Sequence, residues 1–119
     1  MPAILKHEGE NVYCLTISGV LRKSEAEKVQ SAAAQEIARA GKVRLLFILE
    51  GFQGWERGAD WGDLHFYETY GQNVERIAVV CEEKWREQAL MFLLADMRKA
   101  PVRHFQPTET EQARAWLSL

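Results

Sequence analysis

The sequence predicts an α/β sandwich in one domain, a mixed sheet of about five strands covered by four helices. Three observations lead there. Residues 43–50, Val-Arg-Leu-Leu-Phe-Ile-Leu-Glu, form a nearly unbroken apolar run, as expected of a parallel strand buried on both faces. Strand-like runs alternate with helix-period segments in the order β-β-α-β-α-β-α-β-α, which calls for a layered sheet with crossover helices. The length of 119 residues suits a single core that buries about two thirds of the unfolded chain's surface, with no need of a disulfide or metal staple.

Residues 4–7 and 12–18 read as two strands joined at Glu8-Gly9-Glu10-Asn11, a turn-rich stretch suited to an antiparallel hairpin. Ser24-Glu25-Ala26-Glu27 matches the Ser-x-x-Glu capping box and predicts a helix over residues 25–39. On it Ala26, Val29, Ala33, Ile37 and Ala40 make a narrow stripe, small enough to lie close on a sheet. Gly41 stops this helix, and the strand at 43–50 follows after a short turn, as in a helix-to-parallel-strand connection.

A second helix is predicted over residues 59–70. At ~100° per residue, Trp61 and Leu64 face one side while Phe66 and Tyr70 face roughly the other, so one sheet cannot cover both. Gly71 ends it, and residues 75–81 are a β-branched run typical of a central strand. A third helix over 83–99 contains Ala89-Leu90-Met91-Phe92-Leu93-Leu94-Ala95. With Trp85, its apolar residues spread over about half the circumference, wider than the ~100° stripe that packing on a sheet requires. Residues 101–105 suit an edge strand with proline first, and Thr108-Glu109-Thr110-Glu111 repeats the capping-box pattern before a short helix carrying Ala113, Trp116 and Leu117.

Fifteen basic residues against 17 acidic ones leave a formal net charge of -2, without the basic excess that binding to nucleic acid requires. Cys14 and Cys81 are far apart, each in an apolar run, and are expected to be reduced packing residues. The first residues lack the apolar core of a signal peptide, and no apolar run approaches the ~20 residues that span a bilayer, so a soluble cytoplasmic protein is expected.

Chemistry-bearing motifs are sparse. Asp60, Asp63, His65 and Glu68 form the one dense group of potential ligands, but they point to different sectors of the predicted helix and read as an acidic, solvated first turn. His7 and His104 are isolated strand residues. Neither cysteine nor Ser18, Ser24 or Ser31 sits in a Gly-x-Ser-x-Gly elbow, and no glycine spacing matches a phosphate-cradling loop. No enzymatic role, metal or cofactor is expected.

In an open α/β sheet, ligands sit beyond the carboxyl ends of the strands. Here that region is Gly51-Phe52-Gln53-Gly54-Trp55, which offers aromatics instead of catalytic groups.

Four features in this order resemble the SpoIIAA-like proteins of the STAS superfamily. They are the Gly19-Val20-Leu21 step into the first helix, Phe52-Gln53-Gly54-Trp55 after the third strand, Arg76-Ile77-Ala78-Val79-Val80, and the ending from Phe105 to Ala113-Arg114-Ala115-Trp116-Leu117. The resemblance covers nearly the whole chain and implies the STAS sandwich fold. It also implies a small bacterial protein likened to lipid-binding carrier domains, holding a nonpolar molecule between movable helices and touching membranes transiently. The related anti-sigma factor antagonists carry a phosphorylatable Ser or Thr after the strand equivalent to residues 43–50. This chain has neither residue between Glu50 and Leu64, so that switch does not carry over.

The expected function is therefore a non-enzymatic carrier for a small hydrophobic molecule, bound in a cleft between the second and third helices. Phe52, Trp55, Trp61, Leu64, Phe66, Tyr67, Leu90, Leu94 and Met97 are its candidate lining, and the loop at residues 51–61 is its gate. Methionine and aromatics suit a permissive apolar site, and Arg57 or Arg86 is available to hold a polar head group. The same residues also fit ordinary helix–sheet packing, or docking to a membrane or protein. The competing function is a protein-interaction module related to the anti-sigma antagonists, and a homodimer would be a further way to cover the apolar faces.

Overall fold

The computed structural model describes residues 3–61 and 64–119. Its five strands, β1 (Ala3–Gly9), β2 (Val12–Leu21), β3 (Val43–Trp55), β4 (Val74–Val80) and β5 (Val102–Phe105), form one sheet in sequential order. β1 and β2 are antiparallel, with Ala3 opposite Ile17 and Leu5 opposite Leu15, and every later pair is parallel. The hairpin turns at Glu10, whose φ of 47 is stabilised by a hydrogen bond from His7 Nε2 to the Glu10 carbonyl at 2.6 Å.

Sequential parallel strands decide where the helices go. Each right-handed crossover steps in the same direction across the sheet, so α1 (Lys23–Ala40), α2 (His65–Tyr70) and α3 (Glu83–Phe92) fall on one face. The last helix, α4 (Thr110–Leu117), returns over the other face against β3 and β4. The core is split accordingly. Phe47, Leu49, Ile77 and Val79 pack under the three helices with Ala26, Ile37, Ala89 and Leu93, whereas Cys14, Leu46, Ala78 and Val80 meet Ala113 and Leu117. Alternate residues of β3 and β4 therefore feed opposite cores, which is why residues 43–50 read as apolar throughout.

Five local expectations are revised. The helix α1 begins at Lys23, too early for Ser24 to cap it; Glu56 Oε1 accepts the Lys23 backbone N–H at 2.9 Å and takes over the capping role. β3 continues to Trp55, past Gly51 at φ 60 and Gly54 at φ 118, pairing with β2 up to Leu21. Residues 51–55 are thus strand and not loop.

Of the helix predicted over 59–70, only His65–Tyr70 is helical among the described residues, since Gly58 adopts φ 78 and Trp61 Nε1 donates to the Glu56 carbonyl at 3.0 Å, holding residues 56–61 out of the helix. α3 ends at Phe92, because Leu94 takes the left-handed conformation (φ 57, ψ 42) before a 3-10 turn at Ala95–Met97. At the last helix the capping box forms two residues early, between Gln106 and Glu109, whose carboxylate accepts the Gln106 N–H at 2.7 Å.

Candidate functional site: an apolar cavity beneath three helices

A cavity of about 510 Å³ opens between the sheet and the helices on its first face. Its floor is Leu15 and Ile17 of β2, Leu45 and Phe47 of β3, and Ile77 of β4; Ala3 and Leu5 extend it onto β1. One wall is the small-residue stripe of α1, Ala26, Val29 and Ala33. The opposite wall is Leu64, Phe66 and Tyr67 around α2 together with Phe92, Leu93 and Leu94 at the end of α3, and Trp55 and Trp61 line it from the end of β3 and the following loop.

The sequence makes this space in two ways. Alanines on α1 let the helix pack at its edges while leaving volume over the sheet. The left-handed turn at Leu94 does the rest: three consecutive residues of a continuous helix span about 200°, yet Phe92, Leu93 and Leu94 all line the same cavity. An L-residue in that conformation costs about 1–2 kcal/mol, so the surrounding packing must hold it there.

An aromatic cluster closes one side. Phe52 lies edge-on to Trp55 and Trp85 at 4.8 and 4.9 Å between ring centroids, and Phe92 contacts Trp55 and Trp61 at 5.6 and 5.7 Å. The indole nitrogens of Trp55 and Trp85 are buried without a hydrogen-bond partner. The volume lies within the ~300–1,000 Å³ typical of small-molecule sites, which are mostly apolar with a few polar groups. Among the described residues, the polar lining is Lys23, Glu27 and Gln30 of α1, Asp60, Gln88 and Arg98. Glu27, Gln30, Gln88 and Met91 are exposed and mark a mouth between α1 and α3.

Of the nine residues singled out from the sequence, Trp55, Trp61, Leu64, Phe66, Tyr67 and Leu94 line the cavity. Phe52 is buried behind Trp55, and Leu90 packs into the core from α3. Met97 is 53% exposed and contributes only its carbonyl, which accepts the Tyr67 hydroxyl at 2.5 Å. The space also differs in place from the expected cleft between the second and third helices: α1 forms one wall, and α2 and α3 share the other. Sequence reasoning passed over the sheet floor, the α1 wall and Arg98. The alanine stripe of α1 was the available signal for the wall; Arg98 had none.

The remaining candidates stay apart. Arg57 and Arg86 are exposed, outside the lining, and Arg86 lies 3.4 Å from Glu83. Asp60 sits in the loop before α2, His65 and Glu68 are exposed on α2, and Asp63 lies outside the described residues. Among the described residues no three His, Cys, Asp or Glu side chains converge to hold a metal ion. Cys14 and Cys81 are free and buried, and burial pushes the Cys81 thiol up to about 11. His104 Nε2 donates to the Cys81 carbonyl at 2.9 Å. Among the described residues no helix is long and apolar enough to cross a membrane.

The SpoIIAA-like family profile matches residues 12–118, from the start of β2 through α4. The chain belongs to the SpoIIAA-like family. Comparison with curated proteins found no match. Among solved structures, an uncharacterised protein with a SpoIIAA-like fold from Shewanella loihica PV-4 aligns with a TM-score of 0.70 at 18% identity, over 97% of this chain and 91% of that one. The unphosphorylated anti-sigma factor antagonist SpoIIAA aligns with a TM-score of 0.65 at 11% identity, covering 96% of this chain and 97% of its own. The phosphorylated Bacillus cell fate determinant SpoIIAA gives 0.59 at 12%, with 96% and 98% covered. At these identities the likeness is one of fold, and it agrees with the five-stranded mixed sheet and four helices found here. β1, which lies before the matched span, supplies Ala3 and Leu5 to the cavity of this SpoIIAA-like domain.

Proposed function

We propose that this SpoIIAA-like domain is a non-enzymatic binding module that holds a small hydrophobic molecule between its sheet and its first three helices. The cavity carries this reading: about 510 Å³ of space floored by Leu15, Ile17, Phe47 and Ile77, and walled by aliphatic and aromatic side chains. Each methylene moved there from water contributes about 0.8 kcal/mol, so a modest alkyl chain reaches micromolar affinity. Exchange of the occupant would go through movement at the break at Leu94, and a transient encounter with a membrane would supply the ligand.

The test is saturable binding of an uncharged alkyl probe, dodecanol, followed by the fluorescence of Trp55 and Trp61. Changing Ala33 to Trp, which fills the space from the α1 wall, is expected to abolish the response while leaving circular dichroism unchanged. Equal binding by the filled variant would overturn the reading.

The comparisons with known proteins favour a second reading, a protein-interaction module of the kind named in the SpoIIAA structure, an anti-sigma factor antagonist. With no Ser or Thr between residues 50 and 64, such an interaction would run without a phosphate switch at that place. It predicts a complex of fixed stoichiometry with an anti-sigma factor, insensitive to filling the cavity by Ala33→Trp.

A further inference from the structure

Arg98 stands at the cavity with an unmet hydrogen-bonding demand. It follows the 3-10 turn at Ala95–Met97 and lines the space with Tyr67, whose ring centroid lies 5.1 Å from the guanidinium carbon. Its Nε donates to the Leu93 carbonyl at 2.7 Å, while Nη1 is fully buried without a partner. Among the described residues no carboxylate forms an ion pair with it. A buried guanidinium donor left unpaired is costly, and buried charges are as a rule paired. Burial lowers its pKa from the ordinary arginine value, the direction expected of a cation short of a counter-charge.

Resting on the carrier reading, we infer that the ligand is a single-chain carboxylate, with its alkyl chain over the sheet and its head group accepting from the Arg98 guanidinium. The apolar floor fits the chain. Arginine's planar fork matches a carboxylate, and a charge-assisted hydrogen bond inside an apolar cavity is stronger than one at the surface. Lys23, the other cation in the lining, is partly exposed on the first turn of α1 and has no comparable buried donor.

The experiment compares dodecanoate with dodecanol, equal in chain and different in head group, by calorimetric titration of the unaltered protein. Dodecanoate is expected to bind about tenfold to a hundredfold more tightly, the range of one charged hydrogen bond. Arg98→Met is expected to bring the ratio of dodecanoate to dodecanol affinity, measured within that variant, down to about one, whereas Lys23→Met preserves the ratio of the unaltered protein. Equal affinity of the two probes in the unaltered protein overturns the anchor while leaving the cavity reading intact, and it does so whether or not the Arg98 variant folds. An acid preference that survives Arg98→Met also overturns it. Binding of neither probe overturns the carrier reading and the anchor together.

Discussion

Leu46, with no exposed surface, and Met97, 53% exposed, show how differently two apolar residues can serve one chain. Leu46→Ala removes packing from the α4 side of the core and is expected to cost about 2–5 kcal/mol in denaturant unfolding. Met97→Ala is expected to stay within about 0.5 kcal/mol and to leave probe binding untouched. Cys81 makes a sharper case. Its thiol is buried, with a pKa pushed up to about 11, so alkylation of the folded protein near neutral pH is expected to be far slower than that of the unfolded chain. Because the folded value lies above the unfolded one, its contribution to stability is complete below the ordinary thiol pKa. It disappears as pH rises toward 11, which a Cys81→Ala comparison of unfolding at alkaline pH measures. These burial states were largely legible in the sequence, since both cysteines sit in apolar runs. The solvent-facing position of Met97 was not, because it depends on a helix break that periodicity does not announce.

The elements differ in how far local sequence governs them. Strands and their order follow directly from apolar runs and turn residues, while helix ends answer to partners distant in sequence. Glu56, after β3, caps α1 by accepting the Lys23 N–H. Glu56→Ala is therefore expected to destabilise by about 0.5–2 kcal/mol in thermal unfolding, with Ser24→Ala close to neutral. The capping-box motif at Ser24 was a true local signal defeated by that tertiary contact. The hairpin offers a second long-range tie: the Arg114 guanidinium of α4 meets both oxygens of Glu8 at 3.0 and 3.1 Å, bringing the first strand to the last helix. The hydrogen bond from Arg114 holds the Glu8 carboxyl below the usual glutamate range. A lowered folded pKa gives stability that is present above the unfolded pKa and lost as the solution acidifies through the folded one. Unfolding curves between neutral and acid pH are expected to show a smaller acid loss in Glu8→Gln than in the unaltered protein.

At the scale of the molecule, one topological fact produces the site. A sheet whose strands run in sequence puts three crossover helices on one face. Three helices of 18, six and ten residues do not fill it evenly. The wide apolar faces around residues 61–70 and 85–94 signalled surplus hydrophobic surface in the sequence. They did not say that α1 would stand opposite them, because the sequence pattern predicts a helix over 59–70 whereas α2 covers only His65–Tyr70 among the described residues. Six cavity residues nonetheless follow from aromatic and aliphatic character alone; those outside that set lie mostly on the strands, where a cavity-facing residue looks like any other core residue, and on α1 and the end of α3.

A space that receives an apolar molecule takes up a ligand saturably, whereas a packing defect does not. Native mass spectrometry of freshly prepared protein, repeated after incubation with dodecanol, tests this most directly. One saturable adduct per chain is expected in the unaltered protein, lost in Ala33→Trp and in the pair of changes Leu64→Asp and Leu94→Asp. A bare chain mass under all conditions, or an adduct that persists when the cavity is filled, would contradict the carrier reading.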